Sequence, residues 1–146
     1  MDRDISHIHA GVTDELLAEA FSLLRVGGEE RVKYTHEFGQ RIGFSNCVKT
    51  REGDEIVFAQ RVNRDGLTRF VKNRKPEPSN LLTVNIRQID GQYVLRTAYI
   101  GGSGAIEPWA ATPDRLMESI SFWSANALCW GYEPIIAGTE TTVSPW

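Results

Sequence analysis

The residue types best suited to proton transfer and anion stabilisation cluster in three places. His36-Glu37 puts a histidine, the side-chain type best suited to proton transfer near neutral pH, beside a carboxylate. The segment Tyr93-Val-Leu-Arg-Thr-Ala-Tyr99 ends in two hydroxyls two residues apart, so on a strand Thr97 and Tyr99 share a face. The third is a basic run holding Arg61, Arg64, Arg69, Lys72, Arg74 and Lys75 against Asp65 alone. Together they supply what metal-free phosphodiester cleavage of RNA needs: a base for the 2′-OH, an acid for the leaving oxygen, and cations for the phosphorane. The candidates are therefore His36 or Glu37 for the proton, Thr97 and Tyr99 for the phosphate oxygens, and the basic run for the charge, with Arg64, Arg69 and Lys72 binding substrate. A plainer reading stands beside this one: His36 is a partly buried strand residue, and Thr97 and Tyr99 are strand-favouring residues on a sheet face.

Other constellations carry less. His7-Ile-His9 has a spacing that metal ligands use, but no third or fourth ligand follows at a recognisable distance, so no metal is expected. Gly101-Gly-Ser-Gly104 lacks the Lys-Ser/Thr of a phosphate loop and reads as a joint. There is no nucleophile elbow. Cys47 and Cys129 form no CxxC and have no zinc-finger histidines, so two free thiols are the default. No cofactor is expected.

The elements that must position these residues are legible from periodicity and turns. A helix is predicted from Thr13 to Val26, capped by Thr13 or Asp14, with Leu17 and Phe21 on its apolar stripe and Gly27-Gly28 as its stop. Val32 to Phe38 alternates and reads as a short strand or an extended loop. Ile56–Val62 and Leu67–Lys72 read as a hairpin turning at Asp65-Gly66. Leu81–Ile89 and Gln92–Ile100 read as a second hairpin turning at Asp90-Gly91. Counting back from that turn pairs Ile86 with Leu95, Val84 with Thr97 and Leu82 with Tyr99. Thr112-Pro113 opens a C-terminal helix running to Gly131, with Leu116, Ile120, Trp123, Ala127 and Trp130 on its buried face. The tail from Ala137 packs through Trp146 at most. The expected fold is α+β: an N-terminal helix, a central, mostly antiparallel four-stranded sheet built from two hairpins, and a C-terminal helix packed on the sheet. A length of 146 residues suggests one domain over 1–146.

Composition bounds the class. Hydrophobic residues are 41% and charged residues 24%, and 14 aromatic residues argue for a packed core rather than a disordered chain. No run of about 18 apolar residues exists for a transmembrane helix. The opening Met-Asp-Arg-Asp does not read as a signal peptide, so a cytoplasmic location is expected, although delivery by a dedicated secretion system would leave no mark here. The net charge of −3 argues against a general polyanion coat. The stripe from 61 to 75 carries +5, leaving −8 on the rest, so it suits one anion or a short RNA segment, or is simply a solvated hairpin.

The run from Asp54 through Tyr99 resembles the fold group of barnase, EndoU, the tRNase colicins and RelE. Its Thr-Ala-Tyr strand ending is similar to that of bacterial RNase A-like toxin domains. The resemblance covers about a third of the chain. Phe122-Trp123 and the Trp146 tail have no counterpart in it, and the acidic net charge departs from such toxins. It implies a site of His36, an arginine such as Arg61 or Arg74, Thr97 and Tyr99. It also implies cleavage of RNA, including tRNA, through 2′-OH transesterification, and a protein inhibitor or partner. Two alternatives stay open: a non-catalytic binding or regulatory module of the same fold, and an enzyme for a small anionic ligand.

Overall fold

The computed structural model describes residues 7–9 and 11–146. The described residues are mixed α+β, with two α-helices and largely antiparallel sheets. The chain gathers into two compact units, each built from two segments: 1–45 with 78–103, and 46–77 with 104–146. The Gly101–Gly104 joint leads the chain from the first unit to the second. Among the described residues no helix is long and apolar enough to cross a membrane.

The first unit holds β1 (His7–Ile8), α1 (Asp14–Leu23), β2 (Arg31–Glu37), β3 (Gly43–Ser45), and the long strands β8 (Leu81–Ile89) and β9 (Gln92–Ile100). Its four-stranded sheet runs β1-β9-β8-β2, antiparallel except for the parallel β1–β9 pair. Val32 to Glu37 is therefore a true strand, paired with β8 from Arg31–Arg87 to Glu37–Leu81. Thr13 caps α1, its Oγ1 accepting from the Leu16 N–H at 3.2 Å. The helix ends at Leu23, short of the expected Val26, which stands exposed. Its apolar stripe, Leu16, Leu17, Ala20 and Phe21, packs on Tyr34, Phe38, Leu82, Val84, Leu95 and Ala98. The Asp90-Gly91 turn is as predicted: both residues have positive φ (51° and 79°), the requirement of a two-residue hairpin between Ile89 and Gln92.

The second unit holds β4 (Cys47–Lys49), β5 (Ile56–Gln60), β6 (Leu67–Val71), α2 (Leu116–Ala125) and β10 (Asn126–Cys129). Between them lie β7 (Glu77–Ser79), which begins where the chain leaves this unit, and a 3-10 turn at Pro108–Ala110. Its sheet runs β4-β10-β6-β5. The two predicted hairpins thus belong to two different sheets, which corrects the single four-stranded sheet expected from them. Asp65-Gly66 is not a two-residue turn either. Gln60 pairs with Leu67 across a six-residue loop, held by the Gln60 side-chain amide donating to the Arg64 carbonyl. Glycine at 66 serves close packing, because a Cβ there would collide with the Trp109 side chain.

The C-terminal helix is shorter than predicted. It starts at Leu116 with Arg115 at the cap, and Ala127 lies on β10. Leu116 is exposed, whereas Trp123 is buried with its indole N–H on the Ala105 carbonyl at 2.9 Å. Residues 126–129 become strand because the β4 and β6 edges pair their backbone on both sides. The tail is more ordered than expected. Thr141 exchanges two 2.8 Å backbone bonds with Phe58, and Trp146 packs edge-on against Phe58.

Candidate functional site

One irregularity in β9 decides which residues share a face. Ile86 pairs with Leu95 as predicted, but Asn85 pairs with Thr97, Val84 with Ala98, Thr83 with Tyr99 and Leu82 with Ile100. Arg96 is the extra residue of a β-bulge. The side-chain period of a strand is two, so one inserted residue exchanges the two faces beyond it. Ala98 and Ile100 join Leu95 on the face covered by α1, and Thr97 and Tyr99 turn to the opposite face. This corrects the expected pairings of Val84 with Thr97 and Leu82 with Tyr99.

His36 stands on the other side. Its partner on β8 is Leu82, which pairs onward with Ile100, so all three face α1. The imidazole is buried. Its Nε2 lies 3.4 Å from Glu19 Oε2 on α1, and its Nδ1 lies 3.1 Å from the Tyr34 hydroxyl. A carboxylate only accepts, so Nε2 donates to Glu19, and Nδ1 shares a hydrogen bond with the Tyr34 hydroxyl. The ring also meets Phe38 edge-on at 4.6 Å. His36 is a packed and hydrogen-bonded residue of the helix-side core. It does not share a face with Thr97 and Tyr99, so the expected His36–Thr97–Tyr99 constellation does not form.

A different set stands with Thr97 and Tyr99. The register puts Arg31, Lys33 and Thr35 of β2, and Thr83, Asn85 and Arg87 of β8, on their face. Asn85 Nδ2 donates to Thr97 Oγ1 at 2.6 Å. The Thr35 and Thr83 hydroxyls are 2.8 Å apart, and Thr83 also donates to the Gly101 carbonyl at 2.8 Å. At the edge of the sheet, the His9 backbone N–H donates to the Ala98 carbonyl, and the exposed His9 ring lies 5.9 Å from that of Tyr99, tilted by 50°. Thr83 is fully buried, Thr97, Asn85 and Tyr99 are half-buried, and Arg31 and Lys33 are exposed. This face carries an imidazole, a phenol, hydroxyls, an amide and three cations, and it can bind an anion and exchange a proton beside it.

The arginines expected in the site belong to the second unit, where most are held by their own neighbours. Arg61 donates through Nε to Thr68 Oγ1 at 3.1 Å, through Nη1 to both oxygens of Glu133 at 3.0 and 3.1 Å, and through Nη2 to Glu107. Thr68 in turn donates to Glu107 at 2.5 Å. Arg74 is clamped between Asp54 (3.0 Å) and Glu77 (2.7 Å). Desolvation pushes the Asp54 carboxyl up, but the Arg51 N–H and the Arg74 guanidinium outweigh it and hold the group below its ordinary range. Arg69 donates to Thr50 Oγ1 and the Asn126 carbonyl. Lys72 reaches Glu140 at 3.4 Å and lies over the Trp130 ring. Arg64 donates to the Asn63 carbonyl. Three of the stripe's six cations, Arg61, Lys72 and Arg74, are thus paired with carboxylates, several of them distant in sequence, and Arg61 and Arg74 hold their unit together.

Among the described residues no three His, Cys, Asp or Glu side chains gather as metal ligands. Cys47 and Cys129 are free thiols, on opposite faces because Cys47 pairs with Leu128. Burial, reinforced by Cys129, pushes the Cys47 thiol up to about 12. An open groove of about 380 Å³ on the helix side, lined by Phe21, Leu24, Val26, Ile86, Tyr93 and Leu95, is apolar and offers little chemistry.

Arg31, Lys33 and Arg87 are the residues that sequence reasoning missed. The alternation of Arg31 and Lys33 with Val32 and Tyr34, and of Arg87 with Ile86, was a usable signal for the cations. His9 stood out in the sequence only as half of a metal-ligand spacing with His7, and nothing local places it beside Tyr99, because β1 is two residues long and exists only through pairing with β9. Comparison with protein-family models, curated proteins and solved structures finds no match.

Proposed function

We propose that the polar face of the first unit's sheet binds RNA and cleaves it without a metal, by attack of the 2′-oxygen on the adjacent phosphorus. The observation that supports this is the meeting of His9, Thr97 and Tyr99 beside Lys33 and Asn85 on one face. The reading keeps the reaction and the hydroxyl pair of the barnase–EndoU–colicin–RelE resemblance, and it exchanges His36 for His9.

In this reading His9 takes the 2′-OH proton as the 2′-oxygen bonds to phosphorus. The bond from phosphorus to the 5′-oxygen breaks, and that oxygen takes a proton from the Tyr99 hydroxyl, which solvent later restores. Thr97, oriented by Asn85, hydrogen-bonds a phosphate oxygen, and Lys33 offsets the phosphorane charge. The nucleophile is internal to the substrate, so the chemistry calls for no metal-bound water.

The test is cleavage of total tRNA and of a short oligoribonucleotide by the full chain. The expected result is EDTA-resistant cleavage that leaves 2′,3′-cyclic phosphate ends. Loss of a positioned acid or base should cost about 10²–10⁴ in rate for His9→Ala and for Tyr99→Phe. A parent that cleaves neither substrate, or a fully active His9→Ala variant, overturns the reading.

A further inference from the structure

Arg31 and Arg87 are direct partners across β2 and β8. Like charges directly opposite each other on one face destabilise a sheet. Among the described residues neither forms an ion pair, although the second unit's arginines take carboxylate partners repeatedly. Both lie at the end of the polar face away from buried Thr83, Arg31 exposed and Arg87 half-buried. An uncompensated pair of guanidiniums in this position is suited to an external anion, and guanidinium forks match phosphate oxygens.

Their distance from the hydroxyl pair identifies the kind of anion. Thr97 is opposite Asn85, and Arg87 is two residues further along β8, about 7 Å away. Tyr99 is opposite Thr83, four residues from Arg87, or about 13 Å. One phosphate cannot occupy both ends of such a row, whereas successive phosphates of one chain can. The rings of His9 and Tyr99 at the far end offer faces for unstacked bases.

We infer that Arg31 and Arg87 form a phosphate subsite, separate from the reacting phosphate, that makes the polar face selective for single-stranded polynucleotide several residues long. This rests on the proposed RNA reading of the same face and extends it to substrate class. A mononucleotide or dinucleotide leaves the subsite empty, and a single strand running along β8 fills it.

The test uses the full 146-residue chain and fluorescein-labelled 2′-O-methyl oligouridylates, which keep the backbone but lack the nucleophile. The nine-residue probe should bind at least about tenfold more tightly than the two-residue probe, which carries one phosphate, at low salt. Arg31→Gln/Arg87→Gln should remove most of that difference, while binding of the two-residue probe stays within about twofold. Vacating one phosphate position of a single-strand complex should lower the slope of log affinity against log salt by about 0.7. The melting temperature of the double variant should equal or exceed the parent's, because a like-charge pair has been removed. That excludes misfolding as the cause of weaker binding. Equal affinity for the two probes in the parent, an unchanged preference in the double variant, or tighter binding of a nine-pair duplex overturns the subsite. Its failure is separable from that of the cleavage reading, because loss of activity in His9→Ala does not depend on probe length. A parent that binds none of the probes overturns both.

Discussion

Asn85 donates to Thr97 across β8 and β9, and the bond holds only because the Arg96 bulge has brought these two residues into register. Without the bulge Thr97 would sit beside Val84 under the helix, where a hydroxyl would be stranded. Thr97→Val should therefore cost only about 0.5–1.5 kcal/mol, the net value of one partly buried hydrogen bond. Its effect on RNA cleavage should be larger than that loss explains. Urea unfolding together with a rate assay on one oligoribonucleotide checks both.

His36→Ala should behave in the opposite way. The substitution strands the Tyr34 hydroxyl and opens the contact with Phe38, so stability should fall by about 1–3 kcal/mol. Cleavage by the folded fraction, and its pH profile, should match the parent. Under the same assay His9→Ala should flatten the profile near neutrality. A His36→Ala variant that folds well and loses activity would restore His36 to the site.

The Arg61 cluster should act as one structural unit. Arg61 and Glu107 are nearly buried, with side chains 13% and 10% exposed, so removing Arg61 leaves the Glu107 carboxylate in the interior without its cation, whereas removing Glu107 leaves Arg61 paired with Glu133 alone. Arg61→Ala should destabilise by roughly 3–5 kcal/mol, and Glu107→Ala by less. The double variant should lose much less than the two losses together, because each single change already breaks the pair. Chemical denaturation of the four proteins measures the coupling. Additive losses would show that the residues act independently.

Stability should respond to pH at both extremes. The folded Cys47 thiol titrates near 12 and the unfolded one near 9, so the unfolded chain releases a proton first as pH rises. The contribution is complete below pH 9 and declines between 9 and 12, and Cys47→Ala should lessen that alkaline loss. Asp54 has the opposite sign. Its folded carboxyl titrates below the ordinary value of 3.8, so its stabilisation is present above that pH and disappears as pH falls through the depressed value. Thermal melts across pH, compared with Asp54→Asn, read this out. Thiol labelling at about pH 8 should be slow in the native state and fast in urea.

Local rules determined much of what was legible from the sequence. The Thr13 cap, the stripe of α1, the Asp90-Gly91 turn and the Ile86–Leu95 pairing follow from neighbours a few residues apart, and they stand where periodicity and turn chemistry put them. Tertiary structure decided the rest, because the deciding partners are distant in sequence. Whether residues 126–129 continue a helix or form β10 depended on the edges of β4 and β6. Whether the basic stripe was free depended on Glu107, Glu133 and Glu140 arriving from beyond position 100. One bulged residue, Arg96, outweighed the alternation of the whole strand. A period of two records which residues share a face but not where the count is interrupted, so the bulge alone turned Thr97 and Tyr99 away from His36, and only the pairing of β1 with β9 brought His9 to Tyr99.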